Sequence, residues 1–445
     1  MCSYSILFES EMYVAIVLLS LLLLIALLAW GRIERQWVGL GITLLLLTSG
    51  AVTVNEVAEY IDWDVLGLIL GVGIYTIYLE RSGFAQLVAR SILRRTGHSL
   101  YTTLVTLSLS AGLVSVFIEN VSVVLLFYPV VFALSKALSI EPTIPMVFVA
   151  LSSNIAGSAT MVGDPPAIIT AGAFRLSFTD FIVYRGKPSM FFFTIVSMIL
   201  AISITCHISL KRVGGGGVAN NLGGELSVVE KVSVDRVFFV ETILFLVVKI
   251  LLLSLRSVSP IPLSLSAAVA VGGVSLARLL HGDRESIKQA FKQGFEWRLL
   301  LFLASVFVLS GAIEKHGVAR MFGEYIVSSM GGDLIKVTSS LTLLCTVLSS
   351  VIDNVPITLS MIPIVRTAAA MLSYDPVVLM WAALIGITLG GNLTYIGASA
   401  NVTAVRILEK NDHSITFVEF IRISLVYNTV SLLSAWLFYT LAYFA

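Results

Sequence analysis

At 445 residues, with 57% hydrophobic and 12% charged residues, a formal net charge of +1 and a mean hydropathy of +0.97, the chain is too apolar and too sparsely charged for a water-soluble globule, in which about a quarter of residues are charged. It reads as a polytopic membrane protein; near-neutral charge and the lack of a Lys/Arg tract with interleaved aromatics exclude a nucleic-acid partner. The three cysteines and five histidines have no metal or redox spacing, and neither a catalytic constellation nor a P-loop occurs, so no enzyme and no resident cofactor is expected.

In chain order, apolar stretches near the length that crosses a bilayer as helix fall at 12 to 30, 37 to 53, 63 to 80, 188 to 210, 236 to 255, 260 to 280, 297 to 314 and 422 to 444. The first follows Glu9 and Glu11 rather than a basic segment, which predicts a retained span and not a cleaved signal. Between these spans lie two unusual regions, 100 to 174 and 337 to 405, where Gly, Pro, Asn, Ser and Thr interrupt the hydrophobic runs. Each predicts a helical hairpin, with its tip at Glu119-Asn120 or Asp353-Asn354. Each hairpin is followed by a helix broken at Gly163-Asp164-Pro165-Pro166 or around Gly390 to Gly397. The polar stretch 211 to 235, with four glycines from Gly214 to Gly217, predicts a flexible linker between membrane halves at 1 to 210 and 236 to 445.

The two unusual regions repeat each other at an offset of 234. From Val114 to Val131 against Leu348 to Val365, 7 of 18 positions are identical without a gap. The same offset matches Trp63 with Trp297, Glu80 with Glu314, Gly83 with Gly317, Gly157 with Gly391, Thr160 with Thr394 and Gly163 with Gly397. Counting each broken helix as one crossing separates the helices at 63 and 297 by five crossings, so the repeats face opposite ways. On that arrangement Lys and Arg collect on one side, including Arg32, Arg35, Arg298 and Arg406, which makes that side cytoplasmic and puts both termini outside.

Interrupted helices in matching places of two halves point to a transport site. An acid at mid-membrane costs about 2.5 to 3.5 kcal/mol to insert, so Glu119 and Asp353, duplicated at one offset, are the leading candidates for H⁺ or Na⁺ binding. Na⁺ would be held at Glu119, Asn120, Asp353 and Asn354. The bland alternative leaves the acids at the interface, with Asn120 or Asn354 capping the next helix. Asn154, Ser158 and Thr160 in the first break, with Asn392, Thr394, Ser399 and Asn401 in the second, are candidate ligands or helix-to-helix hydrogen bonds. Asp164 reads equally as a ligand or as the N-cap before Pro165. Lys249, eight residues after Glu241, suggests an intramembrane ion pair, and Arg366 either neutralises an anion or snorkels to the surface.

The segment Ser153 to Pro166, the Asp353-Asn-Val-Pro356 tip and Leu389 to Asn401 resemble signatures of the ion transporter superfamily. The resemblance is to its P protein and arsenical-pump membrane protein group, with D-type sodium/proton antiporters and dicarboxylate/sodium symporters as relatives. It implies an all-α fold of two inverted repeats, each of about five transmembrane helices plus a re-entrant hairpin and a broken helix. It also implies a dimer in the plasma membrane and an elevator motion. Where the symporters carry Ser-Asn-Thr, this chain has Glu119-Asn120-Val121 and Asp353-Asn354-Val355. Two carboxylates repel a dianion, which argues against dicarboxylate binding and favours H⁺ or Na⁺ coupling with arsenite-like or small weakly charged substrates, or Na⁺ itself, as cargo; the expected protein is an arsenite, anion or small organic-acid permease. A Na⁺/H⁺ antiporter is the alternative, and a channel-like subunit working with a separate ATPase is a third reading.

Overall fold

A computed structural model of the chain describes residues 2–84, 87, 100–212 and 235–445. Nearly all of it is helix. Among the described residues seven helical segments are long and apolar enough to cross a membrane, and the protein is a multi-spanning membrane protein. The outer helices leave leucines such as Leu22, Leu244, Leu251 and Leu433 exposed, as a surface meeting lipid requires. Most of the expected linker, together with Arg90, Arg94, Arg95 and Lys231, lies outside the described residues.

The first half runs through α1 (Cys2–Trp30), α2 (Arg35–Thr48), α3 (Val54–Tyr60) and α4 (Trp63–Arg81). A hairpin follows, α5 (Leu100–Ser115) and α6 (Asn120–Ala137), then the broken helix α7 (Thr143–Gly157) and α8 (Pro165–Ala173), then α9 (Met190–Arg212). The second half contains α10 (Arg236–Leu255), α11 (Leu263–Leu280), α12 (Arg284–Gly294), α13 (Trp297–Lys315) and α14 (Val318–Ser329). Its hairpin is α15 (Leu334–Ser349) and α16 (Asn354–Met371), its broken helix α17 (Pro376–Gly390) and α18 (Ser399–Lys410), and its last helix α19 (Phe417–Phe444). The 234-residue offset recurs in these boundaries: adding it to α4, to α5 or to the start of α6 gives α13, α15 or the start of α16.

Local chemistry explains where the elements stop. Gly83 and Gly317 take left-handed backbone at φ +85° and +75°, and their amides donate to the Glu80 and Glu314 carbonyls at 3.2 Å, closing α4 and α13 as glycine C-caps. The expected span at 37 to 53 is a correction. Helix α2 has only 14 residues, because Gly50 turns the chain at φ +77° and Thr53 with Glu56 forms a capping box that starts α3. Residues 183–188, at the edge of an expected helix, instead form a small antiparallel hairpin pairing Val183 with Pro188 and Tyr184 with Lys187. Its turn uses Arg185 and Gly186 at positive φ, the geometry that matches strand twist.

The broken helices form the centre of the molecule. Residues 145–170 and 377–392 are buried without interruption, which is where unwound backbone is tolerated in a membrane protein. One expected ion pair is absent: Glu241 bonds Arg278, with His281 Nδ1 3.3 Å away, while the buried Lys249 Nζ lies 5.1 Å from the Tyr75 ring centre. Arg366 reaches the surface, the second of the two expectations. It donates to the Ala173 carbonyl at 2.6 Å, capping the C-terminal end of α8.

Candidate substrate and ion site

Both hairpin tips are built by a short turn into a helix, and the acid itself is the cap. Glu119 accepts from the Ser122 amide at 3.1 Å and Asp353 from the Val355 amide at 3.2 Å, so the N-caps are the carboxylates and not Asn120 or Asn354. The asparagines tie each tip to its broken helix. Asn120 Nδ2 donates to Asn154 Oδ1 at 2.9 Å and Asp164 Oδ1 at 3.3 Å. The Asn354 amide nitrogen faces the Ser349 hydroxyl and the Ile387 and Gly397 carbonyls, at 2.6, 3.2 and 3.3 Å, the orientation its acceptors require.

The same clasp is made twice. Ser115 Oγ donates to the Ser153 carbonyl at 2.8 Å and Ser349 Oγ to the Ile387 carbonyl at 2.6 Å. Thr160 Oγ1 donates to the Val116 carbonyl and Thr394 Oγ1 to the Ser350 carbonyl, each at 2.5 Å. Every partner in the first half lies 234 residues before its counterpart. These hydroxyls are spent on holding hairpin to broken helix, and Ser158 Oγ donates to the Ile155 carbonyl at 2.9 Å.

Where the halves cross, Asn154 Nδ2 donates to Asn392 Oδ1 at 2.9 Å and to Asn401 Oδ1 at 3.0 Å. Asn401 in turn donates to the Gly391 and Thr394 carbonyls, and Asn392 to the Leu151 carbonyl. All three amides are fully buried. Replacing Asn154 by Ala strands two buried carbonyl oxygens, each worth about 1 to 3 kcal/mol. Asn154→Ala is therefore expected to unfold at clearly lower temperature than the parent protein; coincident melting curves would show that this junction carries no stability.

Of the twelve residues singled out by sequence, six line a common cavity of about 740 Å³: Glu119, Asn120, Asp164, Asp353, Asn354 and Ser399. The other six, Asn154, Ser158, Thr160, Asn392, Thr394 and Asn401, are buried behind its wall. Asp164 precedes Pro165 and Pro166, which offer no amide hydrogens, and its side chain caps nothing. It is 3% exposed; Oδ1 meets Asn120 while Oδ2 meets no donor among the described residues. Glu119 and Asp164 share a smaller adjoining pocket with Glu296.

Two groups in this cavity escaped the sequence reading. Arg35 Nη1 donates to Asp353 Oδ2 at 2.7 Å and to Ser399 Oγ at 2.9 Å, and Ser399 Oγ also donates to Asp353 Oδ2 at 2.9 Å. Glu296 stands beside the first tip. The tips thus differ in company: Asp353 faces an arginine and Glu119 faces acids. Among the described residues no three acid, histidine or cysteine side chains converge closely enough to hold a metal ion. A Na⁺ at the second tip would draw on Asp353 together with amide or carbonyl oxygens, whereas one at the first tip could draw on Glu119 and Asp164.

Hairpin tips, broken helices and a charged cavity are the anatomy of a transporter, and comparison with known proteins identifies which kind. The family described as "Citrate transporter" matches residues 25–386. The chain belongs to this family. An uncharacterized transporter of Mycobacterium tuberculosis is 30% identical over 428 residues, covering 94% of this chain and 96% of that protein. The human P protein is 26% identical, covering 85% of this chain and 53% of its own length. Among solved structures, the Alcanivorax borkumensis YdaH transporter shares the fold with a TM-score of 0.53 at 14% identity, over 85% of this chain and 84% of that one. As a citrate transporter family member the protein is a membrane transporter and not an enzyme.

Proposed function

We propose that the protein is a secondary active transporter that moves a small anion, of the organic-acid class its family description names, coupled to H⁺ or Na⁺. The carrying observation is the single cavity in which two matched hairpin tips, each bearing a carboxylate, meet the starts of two broken helices. Helix N-termini at Asn120, Asn354, Pro165 and Ser399 offer positive dipole ends to an anion, while the carboxylates serve the coupling cation. The repeats are taken as inverted, so the hairpins enter from opposite faces and their motion as one body against the remaining helices is an elevator step. Arg35, Arg298 and Arg406 border the cavity, and the excess of basic residues on their side supports a mouth that opens toward the cytoplasm. This arrangement suits a plasma-membrane protein with both termini outside, working as a dimer.

An anion cargo is favoured by Arg35, which supplies the positive charge that the tip sequences lack. The acid-rich side around Glu119, Asp164 and Glu296 gives the antiporter alternative its one specific support, since a bare cation would suffice there. Flux into proteoliposomes under separately imposed pH and Na⁺ gradients, with citrate, sulfate and arsenite as cargo, decides between them. Accumulation of an anion driven by one of the two gradients is expected. If neither gradient drives any flux, the reading as a coupled transporter fails.

A further inference from the structure

Building on that reading, we infer that Arg35 is the residue that docks the anionic group of the cargo, and that Asp353 occupies it as an internal competitor when cargo is absent. Arg35 opens α2, which packs chiefly against α1 and α13. Its guanidinium therefore crosses the cavity to reach the second tip. The neighbouring acid is engaged elsewhere: Glu34 pairs with Arg298 at 3.2 Å and accepts from Gln36. Among the described residues Arg35 is left with Asp353 and Ser399 alone.

The pairing is made through one nitrogen. Both bonds leave from Nη1, and the Nε and Nη2 hydrogens meet no acceptor among the described residues. A guanidinium gains most from a planar oxyanion that takes two parallel hydrogen bonds. Asp353, tethered as the N-cap of α16, holds it by a single oxygen. A mobile carboxylate or sulfate entering the cavity can use the unoccupied edge as well, and so displaces Asp353. The Arg35 side chain is 41% exposed and that of Asp353 11%, so the arginine is reachable from the cavity.

The duplication sharpens the assignment. At the 234-residue offset Arg35 falls opposite Val269 and Ser399 opposite Pro165, so the Arg–Ser–Asp cluster has no copy at the first tip. The remaining charges around the cavity are Arg32, Glu34, Glu119, Asp164, Glu296, Arg298 and Arg406. None is bonded to the Arg35 guanidinium. Charge balance then links cargo to coupling: an anion that takes Arg35 leaves Asp353 with an uncompensated charge, which a cation entering with the anion offsets. The exchange makes anion and cation co-passengers.

Equilibrium binding of radiolabelled citrate to the purified full-length protein, with sulfate and succinate as competitors and no gradient imposed, tests the exchange. Arg35→Gln is expected to weaken citrate binding about tenfold or more, with Arg35→Lys intermediate. Asp353→Asn, which removes the competitor, is expected to tighten it severalfold. Opposite signs distinguish docking from a purely structural latch, for which both variants would change binding in the same direction; unchanged thermal unfolding of Arg35→Lys guards against misfolding. Arg35→Gln binding citrate as the parent does, or Asp353→Asn weakening it, would overturn the assignment. So would wild-type protein that binds none of the three anions. Gradient-driven flux confined to uncharged arsenous acid or to a bare cation would also overturn it, while leaving the coupled-transporter reading in place.

Discussion

Glu119→Gln is expected to abolish gradient-driven accumulation while leaving a folded protein. Glutamine keeps the volume of the side chain and an oxygen able to accept from the Ser122 amide, so the cap of α6 survives and only the charge is lost. Charged partners in desolvated sites are worth about 2 to 5 kcal/mol, so cation binding at this tip should fall roughly 30-fold or more. Asp164→Asn is expected to act in the same direction. Its carboxylate is 3% exposed and has one oxygen without a donor, an expensive arrangement for a buried charge unless a cation shares it. Asp164 has no acid at its repeat position, which is Ala398, so the two variants probe the first tip alone. The measurement is cargo accumulation in proteoliposomes under a pH gradient and, separately, a Na⁺ gradient. Both variants accumulating cargo at the parental rate under the effective gradient would remove cation coupling from this tip. Retained exchange without accumulation is the expected signature of a transporter that moves but is uncoupled.

Much of this site can be read from sequence because it is made of two copies. Duplication fixes not only Glu119 and Asp353 but the clasp behind them, where Ser115, Thr160 and Gly163 recur as Ser349, Thr394 and Gly397 with the same partners. The broken helices were equally legible, since proline and glycine in an apolar run have few other meanings. What escaped has no copy and no period. Arg35 sits in a short, mostly polar stretch of sequence, Gly31 to Gln36, between two apolar ones, where a basic residue ordinarily marks the cytoplasmic border. Only tertiary packing brings it across the cavity to Asp353. Glu296 escaped for the same reason, one residue before an ordinary span. The Glu241–Lys249 pairing failed differently: helical spacing put both on one face, but Arg278 of the adjacent α11 was a nearer partner that no single-helix argument contains. The six candidates that turned out to lie behind the cavity wall share a chemistry with those lining it, and hydroxyls and amides in a membrane interior serve helix contacts as readily as ligands.

The same duplicated geometry predicts that the protein fails twice, in the same way, when a methyl group is added at either break. At Gly163 a Cβ would stand 2.1 Å from the Ser115 carbonyl oxygen and 2.6 Å from that of Gly157. At Gly397 it would stand 2.4 Å from the Ser349 oxygen and 2.8 Å from that of Gly391. In each case the obstacles are backbone atoms, of the hairpin arm on one side and of the broken helix on the other, so no rotamer change relieves the clash. The only relief is to part the hairpin from the broken helix, and that separates the clasps made by Ser115 and Thr160 or by Ser349 and Thr394. Overpacking of this kind costs about 1 to 3 kcal/mol and sometimes more. Gly163→Ala and Gly397→Ala are therefore each expected to lower the temperature at which the purified protein loses its folded, monodisperse form. Transport should be lost in both, since the break positions the cavity wall. Gly41 supplies the comparison: it lies within α2, and a Cβ there meets nothing within 4 Å, so Gly41→Ala should match or slightly exceed the parent in stability. Were Gly163→Ala and Gly397→Ala to melt with Gly41→Ala, the close approach of hairpin and broken helix would not be what holds the two tips in register. Were only one of them destabilised, the two halves would differ in the packing behind their tips as well as in the charges in front.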